Sequence, residues 1–263
     1  MSTTAENRRP GRLWVTTVRR IRRVTPRVRR ITVTSPELSQ FRGNGTDQHI
    51  AVYFYEDGVV LPRPFTTEEA RRIYPHAKPA MRRYTIREAR PEVCEVDLDF
   101  VLHEGDHLAS GWAAAAEPGD ELIWFGPTPA YAVDPEAAAF LLVGDETAVP
   151  AIVCILDELA DAAPARVHIE VEGPEEEQEL PVGPRTSVRW AHRRGDRPGE
   201  ALWRSVTGDA RPEAGTKVWG GAERDVMARL RRRAVEDWGL PRSDVHLTAY
   251  WTLHRKQDAD RDL

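Results

Sequence analysis

Two stretches near the start of the chain set apolar residues against arginines at short intervals. Val15, Val18, Ile21 and Val24 punctuate residues 13–24, Val28, Ile31 and Val33 punctuate residues 27–34, and Thr25-Pro26 lies between them. The pattern predicts two antiparallel strands with a buried side and a charged outer side. His49-Ile50-Ala51-Val52-Tyr53-Phe54 is nearly all apolar. It predicts a strand over residues 47–55 that is covered on both faces, and Glu56-Asp57-Gly58 turns it. Residues 57–80 carry Pro62, Pro64, Pro75 and Pro79 and predict a long loop. A strand is expected around residues 81–87. In another, over 95–102, Val96, Leu98, Phe100 and Leu102 alternate with Glu95, Asp97, Asp99 and Val101. Residues 121–125 supply a last one. Six short strands with turns between them predict a closed antiparallel β-barrel.

From Phe140 the period changes. Phe140-Leu141-Leu142-Val143 is a short apolar run of the kind buried in parallel sheets, followed by Gly144-Asp145-Glu146-Thr147 and a helix through Leu159. Strands are expected at 167–172, 187–192, 217–220 and 245–251, with helices near 199–206 and 224–238. Strands alternating with helices predict an α/β unit with a parallel sheet. The acidic stretch 172–179 and the arginine-rich turn 193–197 are expected to be solvated connections. The organisation read from this pattern is a disordered arm over 1–11, a barrel domain over 12–136, an α/β domain over 137–255 and a tail over 256–263.

Composition changes little in this picture. With 41% hydrophobic and 30% charged residues in 263, a soluble globular chain is expected. No apolar run approaches the ~20 residues of a membrane helix. The start of the chain shows no apolar signal-peptide core, so a cytoplasmic monomer is expected. Cys94 and Cys154 are far apart with no CxxC partner, and buried thiols are expected. The eight histidines show no metal-ligand spacing. Residues 1–30 hold ten arginines and one acid. Such an arm suits nucleic acid. Here the arginines are interleaved with strand-forming valines and isoleucines, without aromatic stacking platforms, and no nucleic-acid partner is expected.

Three places carry candidate chemistry. In Arg82-Arg83-Tyr84-Thr85, strand alternation puts Arg82 and Tyr84 on one face and Arg83 and Thr85 on the other. A cation beside an aromatic plane and a small hydroxyl suits a flavin dinucleotide, although an ordinary surface strand looks the same over so few residues. A turn after His103 leads into a short alanine-rich helix starting near Ala109-Ser110. Its N-terminal N–H groups suit a pyrophosphate, and the alternative is a helix that plugs the barrel end. Gly144 to Thr147 follows the first parallel strand, where nucleotides bind in such sheets, but GxGxxG is absent and a plain turn is the alternative.

Taken together, these pieces resemble the siderophore-interacting protein family, flavin-dependent ferric-siderophore reductases of the ferredoxin-reductase-like group. The matching segments are Asp47-Gln48-His49, Arg82 to Arg87, Asp99-Phe100-Val101-Leu102-His103, Ala109-Ser110-Gly111-Trp112-Ala113, Gly126-Pro127, Gly144 to Ala151, Val218 to Glu223 and Tyr250-Trp251. The resemblance implies FAD in the barrel, with Arg82, Tyr84 and Thr85 on the flavin and its phosphates. It places Asp99, Val101 and His103 along the isoalloxazine or ribityl side, and Ala109, Ser110 and Trp112 at the pyrophosphate turn. It implies NADH or NADPH at Gly144, Asp145, Glu146, Thr147 and Ala148, with Glu223 near the nicotinamide end. No catalytic nucleophile and no protein metal site are implied, since the cofactor carries the chemistry and the siderophore holds its iron. The partner implied is a ferric siderophore. The alternatives are another small-molecule substrate, such as an organic metabolite, and ferredoxin as an outside electron donor. Basic residues usual in the family are replaced by Ala51 and Thr252, and Arg63, Arg71, Arg72, Lys78 and His254 are the candidates to compensate. Trp251 reads equally as a core aromatic or as a ring stacked on flavin or nicotinamide. Arg166 and Arg193 to Arg197 are candidates to meet a 2′-phosphate.

Overall fold

The computed structural model describes residues 11–43, 45–56, 58–103 and 108–253. Residues 1–10 of the arm expected over 1–11, residues 104–107 of the expected pyrophosphate turn, Asp57 in its turn, His254 and the 256–263 tail lie outside the described residues. The chain divides between Ala130 and Tyr131 into two compact units.

The first unit is a closed barrel of β1 (Arg12–Thr25), β2 (Val28–Thr34), β3 (Asp47–Phe54), β4 (Ala80–Arg90), β5 (Glu95–Val101) and β6 (Glu121–Tyr131). The strands are hydrogen-bonded in the order β1-β2-β5-β4-β3-β6, and the ladders given by register are antiparallel. Alternation fills the interior: Val18, Ile31, Val33, Ile50, Val52, Ile86, Val96, Leu98 and Phe100 all point into one buried cluster. Trp14 and Trp124 stack there with ring centroids 5.3 Å apart. Their indole N–H groups are satisfied by Gly126 O at 3.0 Å and Thr16 Oγ1 at 3.2 Å.

Two helices attach to this barrel. The first, α1 (Thr67–Ile73), lies inside the stretch expected to be a loop. Its signals were present: Thr66 accepts from Glu69 N at 3.2 Å as the cap, with Glu68 and Glu69 in the first turn and Arg71 and Arg72 in the last. The four flanking prolines obscured them. The second, α2 (Ala109–Ala115), sends Ala113 into the barrel core, with Ala116 just beyond its end. Arg29 donates to the Ala113 and Ala114 carbonyls at 2.6 and 2.5 Å, which satisfies orphan acceptors at the end of this helix.

The second unit carries β7 (Ala139–Asp145), α3 (Val149–Leu159), β8 (Ala165–Val171), β9 (Thr186–His192), α4 (Glu200–Thr207), β10 (Thr216–Glu223), α5 (Arg224–Arg232) and β11 (Val245–Trp251). The sheet order is β11-β10-β7-β8-β9, with every neighbouring pair parallel. Leu142 faces α3 while Leu141 and Val143 face α4 and α5, so the run from Phe140 to Val143 is apolar throughout. The helix expected to run to residue 238 is α-helical to Arg232 and continues as a π turn over Arg233–Asp237. Neither Cys94 nor Cys154 forms a disulfide, and both are half-buried rather than buried. No helix of the described residues is long and apolar enough to cross a membrane.

Candidate functional site

In the barrel, the β4–β5 register pairs Ile86 with Leu98. Two residues on, Tyr84 lies against Phe100, with ring centroids 4.3 Å apart. Trp112 of α2 adds a third ring 5.5 Å from Phe100, and Phe54 of β3 a fourth, 6.2 Å from Trp112. The same register brings Arg82 level with Leu102, one residue past the end of β5, at the barrel rim. Among the described residues, its Nη1 donates to the neighbouring Met81 carbonyl at 2.9 Å. Its Nε is buried and has no hydrogen-bond partner among the described residues. A buried guanidinium N–H left without an acceptor is costly, and it suits an anion arriving from outside the protein.

The remaining expected flavin residues are differently placed. Thr85, Asp99 and Val101 lie on the outer face of the same wall, opposite in sense to Arg82 and Tyr84. Thr85 is buried opposite His49. Asp99 is held in a two-point pair by Arg30, at 2.6 and 2.7 Å. His103 is tied to α2 through its backbone: its N–H donates to Ser110 Oγ at 3.0 Å and its carbonyl accepts from the same hydroxyl at 3.1 Å. Ala109 is buried beside Ser110. The structure therefore brings Arg82, Tyr84 and Trp112 together inside the rim, fixes His103, Ala109 and Ser110 at the start of α2, and separates Thr85, Asp99 and Val101 from them by the thickness of the wall.

In the second unit, Asp145 ends β7 and is buried. Its Oδ1 accepts from Thr147 N at 2.9 Å and Thr147 Oγ1 at 2.5 Å, and its Oδ2 accepts from Trp251 Nε1 at 2.7 Å. Burial and then the charge of Glu146 push this carboxyl up to about 7, against the pull of those hydrogen bonds. Gly144 is required beside it, because a Cβ would lie 2.6 Å from Ala148 Cβ, where α3 begins its close approach to the strand. Gly221 pairs with Gly144 in register, and a Cβ there would meet the Tyr250 ring at 2.6 Å. Glu223 is buried at the end of β10, where it accepts from Asp225 N at 2.5 Å to cap α5 and from Leu253 N at 3.1 Å. Trp251 lies opposite Glu223 in the β10–β11 register. Gly144 to Ala148, Glu223 and Trp251 thus converge at the carboxyl ends of β7, β10 and β11. Trp251 is half-buried and is held there by its indole N–H bond to Asp145.

The connections expected to be solvated are exposed over most of their length, but each holds one buried charge. Arg193 is buried and donates through Nε to Glu170 Oε1 at 2.6 Å and through its two terminal nitrogens to both oxygens of Glu146, with Glu172 within 3.6 Å. Burial opposes its charge, but the field and hydrogen bonds of Glu146 and Glu170 raise its pKa. Glu170 also accepts from Gly199 N and Leu202 N, both at 2.8 Å, at the start of α4. Glu176 in the acidic stretch is buried too. Arg193 is consumed by carboxylates, Arg197 pairs with Asp225 at 2.9 Å, and Arg166 is bound to Asp209 and the Ala210 carbonyl near the amino end of β8. Arg166 thus lies at the amino end of the sheet, whereas Arg194 and Arg197 are exposed. Sequence reading missed Glu170 and the buried ion pairs that Arg193 makes. The available signal was a glutamate within the apolar strand Val167-His168-Ile169-Glu170-Val171, since a charge in a doubly covered strand needs a partner.

A closed antiparallel barrel followed by a parallel five-stranded sheet is the ferredoxin-reductase-like architecture. The cytochrome P450 reductase GcoB from Amycolatopsis shares it at a TM-score of 0.67 over 93% of this chain and 71% of that one, at 16% identity, a likeness of fold alone. Residues 17–131 match the siderophore-interacting FAD-binding domain and residues 137–254 the siderophore-interacting protein domain. The siderophore-interacting protein SipS from Aeromonas hydrophila is 30% identical with a TM-score of 0.80, covering 95% of both chains. Ferric vibriobactin reductase ViuB from Vibrio cholerae is 26% identical over 90% of this chain and 88% of its own. The chain belongs to the siderophore-interacting protein family, and its barrel unit is the family's FAD-binding domain.

Proposed function

We propose that the protein is an FAD-dependent oxidoreductase that reduces ferric siderophores with electrons from NADH or NADPH. The observation that carries the reading is the buried, unpartnered Arg82 Nε beside the Tyr84–Phe100–Trp112 aromatic group. A diphosphate satisfies the guanidinium, and an aromatic wall suits a flat ring system. FAD, when bound, supplies a hydride acceptor that gives up its electrons singly. The protein's residues bind and orient. Arg82 neutralises phosphate, Tyr84 and Trp112 offer apolar ring faces, and Thr85 on the outer wall offers a hydroxyl to a ligand crossing the rim. At the sheet end, Gly144 and Thr147 bound the place where a nicotinamide nucleotide docks, and Asp145 fixes Thr147 and Trp251 around it. One reduced nicotinamide carries two electrons, so the balanced reaction reduces two ferric chelates and releases one proton. The likeness to ViuB supports the ferric substrate.

The Arg82→Ala variant tests the reading at its base. Its FAD content after gel filtration is expected to fall at least tenfold relative to the parent chain, with the fold intact by circular dichroism. Full FAD retention would remove Arg82 from the site.

A further inference from the structure

Asp145 and Glu146 are adjacent carboxylates in one tight turn, and the function proposed above gives a part only to the first. The Ala148 N–H donates to the Asp145 carbonyl at 3.0 Å and the Thr147 N–H to Asp145 Oδ1 at 2.9 Å, which closes the turn between β7 and α3. A second negative group at position 146 is unfavourable here on two counts. After burial, its charge is the main cause that pushes the Asp145 carboxyl up to about 7. It also stands beside the place where an anionic dinucleotide docks. Most residue types suit the second position of a tight turn, so the contact that Glu146 makes has to account for it.

That contact is Arg193. Its two terminal nitrogens donate to the two oxygens of Glu146, one of them at 2.9 Å. A planar two-point pair of this kind fixes direction as well as distance. The same guanidinium donates through Nε to Glu170 Oε1 at 2.6 Å, and Glu170 is fixed in turn by the backbone N–H groups of Gly199 and Leu202. Arg193 is therefore held from behind and does not follow Glu146 when the turn moves.

The sheet gives the arrangement its sense. In the order β11-β10-β7-β8-β9, β7 is the central strand. Asp145 reaches one edge strand, β11, through the Trp251 indole N–H at 2.7 Å. Glu146 reaches the residue that follows the other edge strand, β9. Two consecutive side chains thus brace the central turn from both edges of the sheet, and Thr147 comes next, half-buried, at the entry to α3.

We propose that Arg193 and Glu146 are positioning residues for the nicotinamide nucleotide. Their pair holds the turn from Gly144 to Ala148 in its binding shape and masks the Glu146 charge from the phosphates of the dinucleotide. Both roles rest on the nicotinamide docking in the function proposed above. Neither residue takes part in the chemical step, so nucleotide affinity and not the limiting rate depends on them.

The test is single-turnover reduction of the FAD-loaded full chain over a range of NADH and NADPH concentrations, which separates Kd from the limiting rate. For the nucleotide that reduces the flavin, Glu146→Ala is expected to raise Kd about tenfold, with the limiting rate within about twofold and FAD content unchanged. Glu146→Gln keeps an acceptor for Arg193 and is expected to raise Kd only about threefold. Arg193→Lys keeps a charge beside Glu170 but loses the two-point pair, and a rise of about fivefold is expected. Because the two residues act as one pair, Arg193→Lys combined with Glu146→Ala is expected to bind no more weakly than Glu146→Ala alone. Glu172 faces the same guanidinium at 3.6 Å from outside the turn, and Glu172→Gln is expected to leave Kd unchanged. Multiplied losses in the double variant, or a Kd that Glu146→Ala leaves unchanged or lowers, would overturn the assignment. Calorimetric titration with NAD+ and NADP+ separates this from the reductase reading. Binding that depends on Glu146 and Arg193, without flavin reduction by NADH or NADPH, keeps the positioning role and defeats that reading. Reduction that Thr147→Arg abolishes, and that Glu146→Ala and Arg193→Lys leave intact, does the reverse. Absence of binding by either nucleotide defeats both.

Discussion

At the residue scale, one charged group of the second unit is bound within the protein rather than to solvent. Arg193 is shared by Glu146 and Glu170, both largely buried. Removing one member of such a group strands the others without compensation, which typically costs about 3–5 kcal/mol. Arg193→Ala is therefore expected to lower the unfolding free energy by that order in urea denaturation, whereas Arg197→Ala, which breaks an exposed pair with Asp225, should change it by less than about 1 kcal/mol. Asp145 makes a different prediction. Its carboxyl titrates near 7 in the folded chain and near 3.8 when unfolded. Between those values the folded state holds a proton that the unfolded state has released, so stability falls as pH rises through the window. The contribution is bounded by about 1.4 kcal/mol per pH unit. Asp145→Asn cannot ionise, and its unfolding free energy is expected to decline less steeply between pH 5 and 7 than that of the parent chain. Parallel slopes would show that Asp145 is ionised throughout. The absolute stability of this variant is a poorer readout, since the amide has one acceptor oxygen where the Asp145 carboxyl uses two, for Thr147 and Trp251.

At the element scale, the chain places its ends of strands and starts of helices where chemistry is expected. The alternation of Val96, Leu98 and Phe100 with Asp97 and Asp99 made β5 legible, because a barrel wall has one wet and one dry side. Alternation in β4 likewise put Tyr84 and Arg82 on one face, without showing which side of the wall that face is on. It gave no indication that Phe100 would meet Tyr84 or that Trp112 would meet Phe100 and Phe54, since those contacts depend on strand register and on the docking of α2. The helix α1 was hidden by prolines at both ends of its loop, although its cap and charge pattern were in place. Arg193 illustrates the limit most clearly. An arginine-rich turn reads as solvated until the sheet is assembled and Glu146, on a separate connection, faces it. The element carrying Thr147 offers a direct test. Thr147→Arg sets a long cation at the start of α3 and is expected to abolish flavin reduction by NADH or NADPH with FAD still bound. Unchanged reduction kinetics would place the nicotinamide elsewhere.

At the scale of the whole molecule, two units divide the labour. The barrel holds an aromatic rim with a buried arginine donor, and the sheet gathers Gly144 to Ala148, Glu223 and Trp251 at the carboxyl ends of β7, β10 and the edge strand β11. The fold class was legible because the hydrophobic period changes from alternating to continuous at Phe140, and each pattern has few packed solutions. The chemistry followed from the order of short motifs along the chain, which the two family domains over residues 17–131 and 137–254 reproduce. Substrate choice was less legible, because Ala51 and Thr252 remove charges without showing what replaces them. The central claim is a flow of electrons from nicotinamide through bound flavin to a ferric chelate. The most direct measurement is the absorption of FAD-loaded protein under anaerobic conditions as NADH or NADPH is added, followed by a ferric siderophore. The account predicts bleaching of the flavin bands by one of the nucleotides and their recovery as the ferric chelate is added, two equivalents per flavin. Flavin that stays oxidised with both nucleotides, or that bleaches and does not recover with any ferric chelate, would contradict it.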